Sequence, residues 1–274
     1  MLQSICLCTN KVRVDFKEII KYSDEKVFKN YEGTSIGKCT RCGMLKTFPS
    51  KKNKKFNTQQ SRNNFYESNG TPFLKLFNPL LSALNKYQPS GSVLEAGCSS
   101  GILLSLLKKK GFDVTGIEPN KEAFKSAQKK LGKFIFNGTL PKFVRYYNKK
   151  FDCIIYNHVL EHVEDVNKEL SLVKKMIKPN GILIVGVPNT DNIIFTIRRK
   201  YWESLMPNEH VWHFSTQRMT SLLEKHGFKV ISKSFSNHTR TDYPLLKRIY
   251  FGILCLINQL INTGEAVLVV AKKG

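Results

Sequence analysis

The chain has 274 residues, of which 41% are hydrophobic and 11% aromatic, so it can bury a large core and carry a smaller attached unit. No apolar run approaches the roughly 20 residues of a membrane-spanning helix, and the N-terminus lacks the apolar stretch of a secretory signal, so we expect a cytoplasmic protein. The net charge of +23 is typical of a nucleic-acid partner, but the lysines are scattered along the whole chain without interleaved aromatic residues, and this distribution argues against one.

Two pairs of cysteines predict a metal site near the N-terminus. Cys6 and Cys8 form a C-x-C pair, and Cys39 and Cys42 form a C-x-x-C pair followed by Gly43. Four thiolates without a histidine fill the tetrahedral shell of zinc, so we expect a structural Zn²⁺. The alternative is a set of four buried free thiols. Three further cysteines are isolated and fit small core residues of a reducing compartment: Cys98, Cys153 and Cys255.

The N-terminal part predicts a small domain and a linker. β-branched and aromatic residues alternate between the cysteine pairs, which favours a short β-ribbon, as in Val12, Val14, Phe16, Val27 and Tyr31. A polar run at 50–64 is typical of a linker. We therefore expect a zinc-ribbon domain with its linker over residues 1–55 and a larger domain over 56–274. Residues 73–87 are apolar at helical spacing and predict a helix bent at Pro79.

From residue 92 onward, short apolar runs alternate with amphipathic segments. The short runs predict strands at 93–95, 114–117, 134–136, 153–156 and 182–187. The amphipathic segments predict helices at 103–110, 123–131 and 166–177, the last of which ends at a turn over 178–181. This alternation predicts an α/β fold, a doubly wound, Rossmann-like and mostly parallel sheet, in which ligands bind at the carboxyl ends of the strands.

The segment VLEAGCSSG, residues 93–101, follows the first of these strands and opens a helix. Gly97 and Gly101 leave room for a ligand beside the backbone, and the helix N-terminus offers free N–H groups. At the end of the next strand, Glu118 in GIEPN can accept both hydroxyls of a ribose. The pair predicts a nucleoside site.

These motifs resemble those of class I S-adenosylmethionine-dependent methyltransferases. VLEAGCSSG is similar to their first motif and GIEPN to their second, while FDCIIYNHVLEHVED at 151–165 and GILIVGVPN at 181–189 match their fourth and fifth strands with the loops that follow. HVWHFS at 210–215 and EAVLVVAKK at 265–273 resemble the later part of the domain, which gives a seven-stranded sheet. The N-terminal cysteines resemble the zinc ribbon of a subset that often methylates sugars or small metabolites in surface-polysaccharide and natural-product pathways.

The resemblance implies a set of cofactor-binding residues. Glu95, Gly97, Cys98 and Gly101 would frame the methionyl end of S-adenosylmethionine, and Glu118 would hold the ribose. Further candidates surround the adenine and the sulfonium: Ile117, Pro119, Asn137, Gly138, Asn157 and His158. Asn137 stands where many relatives have an acidic residue, and its alternative is a purely structural turn.

Methyl transfer to a hydroxyl needs a base, and a histidine near neutrality suits that role. The first candidates, Glu161 and His162, share one helical turn with His158; quinone-pathway O-methyltransferases carry a similar glutamate, glutamate, histidine set that binds a divalent ion. The second group is His210 and His213. We expect His210 as the base, then His162; helix capping and lid packing are the structural alternatives.

Two further segments bear on the partner. The insert at 189–208 carries a basic and aromatic cluster suited to an anionic or sugar-bearing acceptor: Arg198, Arg199, Lys200, Tyr201 and Trp202. A solvated basic face is the alternative. Residues 245–261 are too short to span a bilayer, and their Lys247–Arg248 flank allows a peripheral membrane contact, although we expect a lid or an oligomer contact.

Together these features favour a small-molecule methyltransferase, which O-methylates a sugar, a nucleotide sugar or a phosphorylated metabolite in surface-polysaccharide biosynthesis. A nucleic-acid methyltransferase is a second hypothesis, which the charge favours. It is weakened because YNHV at 156–159 stands where amino-methylating enzymes carry an Asn/Asp-Pro-Pro-Tyr/Phe tetrad. A non-catalytic zinc-containing binding protein is the third.

Overall fold

The structure is a computed structural model that describes residues 1–9, 12–23, 31–49, 77–238 and 240–274. Its strands are β1 (Leu2–Ile5), β2 (Arg13–Lys21), β3 (Ser35–Cys39), β4 (Leu45–Phe48), β5 (Ser92–Ala96), β6 (Asp113–Glu118), β7 (Ile135–Asn137), β8 (Phe151–Asn157), β9 (Ile177–Pro188), β10 (Trp212–His213), β11 (Phe228–Ser236) and β12 (Ala266–Lys273). Its helices are α1 (Asn78–Tyr87), α2 (Ile102–Lys109), α3 (Lys121–Leu131), α4 (Leu140–Phe143), α5 (Val166–Met176), α6 (Ile193–Arg198), α7 (Thr216–Lys225) and α8 (Leu245–Leu260).

Seven strands form one sheet in the order β11-β12-β9-β8-β5-β6-β7. β9, β8, β5, β6 and β7 pair in parallel, whereas β12 and β11 add an antiparallel edge. The chain runs outward from β5 to β7 and then returns to β8 on the other side of β5. The mostly parallel α/β sheet is therefore confirmed, and its switch point lies between β5 and β8.

Helices cover both faces of this sheet, because each helix carries one apolar stripe. α1, α2 and α3 pack on one face through residues such as Leu84, Leu104 and Ala127. α4, α5 and α7 pack on the other through residues such as Phe143, Leu170 and Met219. The β-strands between them are almost fully buried, which explains their continuous apolar runs.

One local prediction lies partly outside the described residues and one needs correction. Pro79 lies in the first turn of α1, where a proline lacks only an N–H that has no helical partner, and residues 73–76 of the predicted bent helix are not described. The predicted turn at 178–181 lies inside β9, where the pairing with β8 shifts register between Phe151 and Cys153 and Asn180 adopts a positive φ of 64°. The helix before it ends one residue earlier than predicted, at Met176.

The N-terminal strands form a second sheet that is joined to the rest of the protein. Its order is β1-β2-β3-β4-β10, so its last strand, β10, comes from the larger domain. Trp212 pairs with Lys46 and His213 with Leu45. Close to the cysteines, the carbonyl of Leu7 accepts hydrogen bonds from side chains of both α5 and α7. The N-terminal sheet therefore shares a core with the larger domain.

Several predictions lie outside the described residues: the position of Val27, the linker at 50–64 and the domain boundary between residues 55 and 56. Tyr31 lies beyond β2, in a turn. In the ranges that the structure covers, no helix combines the length and the apolar character that crossing a membrane requires.

Candidate functional site

The glycine-rich turn after β5 lies at the carboxyl edge of the sheet. Gly97 has a φ of 69° and Gly101 a φ of 74°, conformations that favour glycine. A Cβ at Gly97 would lie 2.6 Å from Cγ2 of Val159, in the loop after β8. The turn is fixed on β6, because the Gly97 and Cys98 amides both donate to the carbonyl of Ile117. The positive φ and the packing of Val159 therefore both require glycine at 97, and the loop after β8 lies directly beside the turn where the cofactor is predicted to bind.

Glu118 ends β6 and is held by backbone amides. Its two carboxylate oxygens accept hydrogen bonds from the amides of Ser99 and Asn120, each at 2.8 Å. Burial raises the pKa of Glu118, while these two backbone donors lower it in part. Each oxygen keeps a second lone pair. The carboxylate is thus fixed before any ligand binds and can accept the hydroxyls of a ribose.

Glu95 lies under the same turn, on β5, with only 5% of its surface exposed. One of its buried carboxylate oxygens, Oε2, has no hydrogen-bond partner in the part of the chain that the structure describes. Burial raises the pKa of Glu95 to about 8, and the charge of Glu118 adds to this effect. A buried acceptor without a donor costs free energy. An ammonium group such as that of the methionyl tail would satisfy it, so the site fits S-adenosylmethionine.

The other predicted cofactor residues divide into two groups. The Cys98 side chain is buried beneath the turn, where its sulfur would lie 2.7 Å from a Cβ at Gly116, so its thiol is part of the core. Asn137 donates from Nδ2 to the Glu118 carbonyl, which the Gly138 amide also contacts. Asn137 and Gly138 therefore shape the end of β6. Pro119, Asn157 and His158 lie in exposed or half-buried positions at the edge of the sheet, which suit direct contact with a cofactor.

A cluster of histidines surrounds one carboxylate in the loop after β8. Glu161 is buried, and its Oε1 lies 3.4 Å from Nδ1 of His158, whose side chain is one-third exposed. The His162 and His210 rings are 4.7 Å apart, so two groups that are 48 residues apart in the chain form one cluster. Glu161, His162 and His210 each offer a ligand atom within 4.8 Å of the others. The cluster could orient a base or hold a divalent cation.

The charge state of Glu161 follows from its neighbours. Burial alone would raise the pKa of its carboxyl group, but contact with His158 and the charges of His162 and His210 hold it at about 2. The carboxylate is therefore ionised at neutral pH. Neither of its oxygens has a hydrogen-bond partner among the described residues. An ionised buried carboxylate needs a positive or hydrogen-bonding partner, which a protonated imidazole or a bound cation could supply.

His213 lies next to this cluster, with its ring 6.3 Å from that of His210. Its Nε2 lies 2.8 Å from the hydroxyl of Thr47 on β4, and the ring is buried between the two parts of the protein. Burial lowers its pKa to about 3. Its placement gives it a structural contact and does not support its predicted catalytic role. His210 is also almost fully buried, with 2% of its surface exposed, so it is poorly placed to meet an acceptor.

The basic and aromatic insert is arranged differently from the prediction. Trp202 is buried and donates from Nε1 to the carboxylate of Glu265, so it cannot stack on an acceptor. Arg198 lies 3.3 Å from Glu203. Arg240 donates to both oxygens of Glu265, at 2.8 and 2.6 Å. Sequence reasoning missed this buried ion pair, because Arg240 lies in a segment without a motif, 25 residues before Glu265.

The four N-terminal cysteines converge as predicted. The sulfur atoms of Cys6 and Cys42 lie 3.5 Å apart, and those of Cys8 and Cys39 lie 4.0 Å apart. All four sulfurs are within 4.8 Å of one another. Four sulfurs bound at about 2.3 Å to one zinc would be separated by about 3.8 Å, so the cluster has the dimensions of such a site.

Comparisons with known proteins agree with the fold. A methyltransferase-domain family matches residues 70–233. The ubiquinone biosynthesis O-methyltransferase of Homo sapiens is 27% identical over 181 residues, which are 58% of this chain and 48% of that protein. The enzyme of the same name from Pasteurella multocida is 30% identical over 130 residues, 41% of this chain and 54% of that protein. The chain thus spans about half the length of these curated relatives.

Solved structures share the fold at low sequence identity. A methyltransferase dependent on S-adenosylmethionine, from Archaeoglobus fulgidus, aligns with a TM-score of 0.54 and 20% identity, covering 73% of this chain and 94% of that one. Another from Mesorhizobium loti aligns with a TM-score of 0.52 and 15% identity, covering 72% and 97%. With the family match over more than half of its length, the chain belongs to the methyltransferase-domain family, and its larger domain is a class I S-adenosylmethionine-dependent methyltransferase domain.

Proposed function

We propose that this protein O-methylates a small molecule, with S-adenosylmethionine as the methyl donor. The observation that carries the proposal is the carboxylate–imidazole pair of Glu161 and His158 beside the glycine turn. Val159, the residue after His158, lies against Gly97, so the pair and the turn border the same crevice. A methyl acceptor bound there would meet an imidazole that a buried carboxylate orients.

The cofactor would be held by the residues whose geometry fits it. Glu118 would accept from the ribose hydroxyls, Glu95 would meet the methionyl ammonium group, and the bare turn at Gly97 would take the chain between them. When bound, S-adenosylmethionine supplies an electrophilic methyl group for in-line displacement. The protein's own task is then to align the acceptor oxygen and to remove its proton.

We infer that His158, which the sequence places at the cofactor, is the general base. If its Nδ1–H faces Glu161, its Nε2 keeps the lone pair that takes a proton from a hydroxyl, as in other carboxylate–histidine pairs. His158 has a φ of 56°, and its amide donates to Gly186 on β9, so the backbone fixes it in this unusual position. His210 is buried and His162 is half-buried with Nδ1 3.0 Å from the Glu209 carbonyl, so both serve better as support.

A divalent cation at Glu161, His162 and His210 is a second role for the same cluster, favoured by the closeness of their ligand atoms. A carboxylate and two imidazoles form a donor set that transition-metal ions accept. The two roles differ in their requirement for metal. Activity that survives exhaustive chelation supports the base alone, whereas activity restored by one added metal ion supports the cation.

The acceptor is a hydroxyl-bearing small molecule in this proposal. The names of the curated relatives, which are O-methyltransferases of ubiquinone biosynthesis, support oxygen as the methylated atom and an acceptor of the quinone-precursor class. A sugar or phosphorylated acceptor in surface-polysaccharide biosynthesis has less support, because Trp202 and Arg198 of the insert are already engaged within the protein. We propose that the reaction takes place in the cytoplasm, which suits either class of acceptor.

We also propose that Cys6, Cys8, Cys39 and Cys42 hold a structural zinc ion. The distances between their sulfur atoms support it, and four thiolates leave no open coordination position for chemistry. Next to these cysteines, Leu7 is bonded to α5 and α7, so the zinc would stabilise the docking of the N-terminal sheet.

Methyl transfer to a panel of phenolic hydroxyls, nucleotide sugars and bulk RNA tests the function. We expect product with a small hydroxyl acceptor, and His158→Gln should lower kcat by about 10²- to 10⁴-fold, the usual contribution of a general base. Glu161→Gln should lower kcat less. The matched control is His226→Gln, because His226 lies at the C-terminal end of α7, where it contacts Asn167 and does not belong to the Glu161 cluster. Transfer to RNA alone, or full activity of His158→Gln, would contradict the proposal.

A further inference from the structure

Helix α8 exposes a continuous apolar face. In the sequence it stands between β11 and β12, and it buries Phe251, Leu254 and Asn258 against the protein. The opposite side carries large apolar residues, all exposed: Leu245, Leu246, Ile249, Tyr250, Ile253, Leu256 and Leu260. Leu246 has 81% of its surface exposed and Leu260 has 76%. An isolated exposed leucine needs no explanation, but seven large apolar residues on one helix face do.

The spacing of these residues defines a surface. At 100° per residue they cover an arc of about 140° along about 24 Å of helix, and no polar residue interrupts that arc. Arg248 and Gln259 lie at one border of the arc. A helix that buries one face in the core and exposes an apolar opposite face can bury that second face in another apolar environment.

Charge decides between the possible partners. Helix α8 contains no aspartate or glutamate, carries Lys247 and Arg248 in its first turn, and belongs to a chain with a net charge of +23. Two copies of such a chain would repel each other across an α8–α8 contact. An anionic lipid surface would attract the same charge, and acyl chains would cover the apolar face. The charge therefore favours a membrane.

We propose that α8 is an interfacial helix that binds the protein to anionic membranes, with the face of Leu246, Ile253 and Leu260 inserted at the headgroup–acyl boundary. The same helix packs through Phe251 and Leu254 on Phe195 and Trp202 of the insert that follows β9. Bound lipid would thus lie beside the insert at 189–208. The proposal does not depend on methyl transfer, since it concerns binding alone.

Co-sedimentation with vesicles tests it. The full chain should bind vesicles of equal parts phosphatidylglycerol and phosphatidylcholine at least tenfold better than pure phosphatidylcholine, and 0.5 M salt should weaken that binding. Ile253→Glu should reduce binding at least tenfold. Gln259→Glu is the matched control, because it adds the same charge to an exposed position of the same helix outside the apolar arc; it should change binding less than twofold.

Insertion depth gives a second measurement. A tryptophan introduced as Ile253→Trp should be quenched by brominated acyl chains, whereas one introduced as Gln259→Trp should not; the native Trp202 and Trp212 are both buried. Equal loss of binding in both glutamate variants would reduce the effect to charge and overturn the proposal. So would binding that Ile253→Glu leaves intact, or a concentration-dependent dimer that Ile253→Glu dissociates in a chain that does not bind vesicles.

Discussion

The imidazole of His213 and the hydroxyl of Thr47 lie 2.8 Å apart in the protein interior and join β10 to β4. Replacing Thr47 by valine keeps the shape but leaves a buried ring nitrogen without this partner. We expect Thr47→Val to lower the free energy of unfolding by about 1–3 kcal/mol, measured by urea denaturation. Thr40→Val is the control, because Thr40 is exposed and should cost less than about 0.5 kcal/mol.

The same histidine makes stability depend on pH. Burial lowers the pKa of His213 to about 3, so the folded protein keeps the ring neutral while the unfolded chain binds a proton near pH 6.5. The unfolded state therefore gains protons as pH falls, and this contribution to stability is complete above pH 6.5 and declines below it. Between pH 6.5 and 5, the free energy of unfolding should fall more steeply for the wild type than for His213→Gln. Parallel curves would contradict the prediction.

Glu118 should dominate the affinity for the nucleoside. Glu118→Gln keeps the side-chain length but removes the charge that two backbone amides and the ribose hydroxyls would share. Charge-assisted hydrogen bonds contribute about 1.5–3 kcal/mol, so affinity for S-adenosylhomocysteine should fall by about 10- to 150-fold in calorimetry. Glu122→Gln, an exposed change on α3, should leave affinity unaltered.

Glu95 should give that binding a pH dependence. The pKa of its carboxyl group is raised to about 8 by burial and by Glu118, and the ammonium group of the ligand prefers the ionised form. Binding of S-adenosylhomocysteine should therefore tighten as pH rises from 6 to 8, by at most about tenfold per pH unit. Glu95→Gln should bind more weakly at pH 8 and show a flat profile. A wild-type affinity independent of pH would rule out this role.

Zinc content tests the cysteine cluster. The purified chain should contain about one Zn²⁺, and Cys42→Ser should lose it and unfold at a lower temperature. Cys255→Ser is the matched control, because Cys255 is half-buried and lies outside the cluster. A metal-free wild type with unchanged thermal stability after chelation would support four free thiols instead.

The parts of the fold that were predictable are those with strong local signals. The strands around Val93 and Ile154 are continuous apolar runs, and the turn at Gly97 follows directly from its residues, so the parallel sheet and the position of Glu118 could be inferred without coordinates. Pro79 was ambiguous because a proline both interrupts and begins helices; the structure places it in the first turn of α1.

The distribution of the histidines could not be predicted. Spacing alone places His158 with Glu161, and the structure brings them together. The sequence offers no reason to separate His210 from His213, yet the His210 ring contacts that of His162, while the His213 ring, 6.3 Å from that of His210, reaches Thr47 on β4. That division depends on strand pairing between segments about 165 residues apart, for which this chain carries no local pattern.

The pairing of β4 with β10 also limits how the protein can be dissected. The amide of Thr47 donates to the carbonyl of Val211, and the amide of Val211 donates to the carbonyl of Glu161. A truncated chain starting near residue 77 would leave β10 with exposed backbone donors and acceptors next to the uncovered Trp212 side chain. Such a fragment should aggregate, so expression of the catalytic half alone is a poor route to crystals, and the N-terminal sheet should be retained in any fusion or domain exchange.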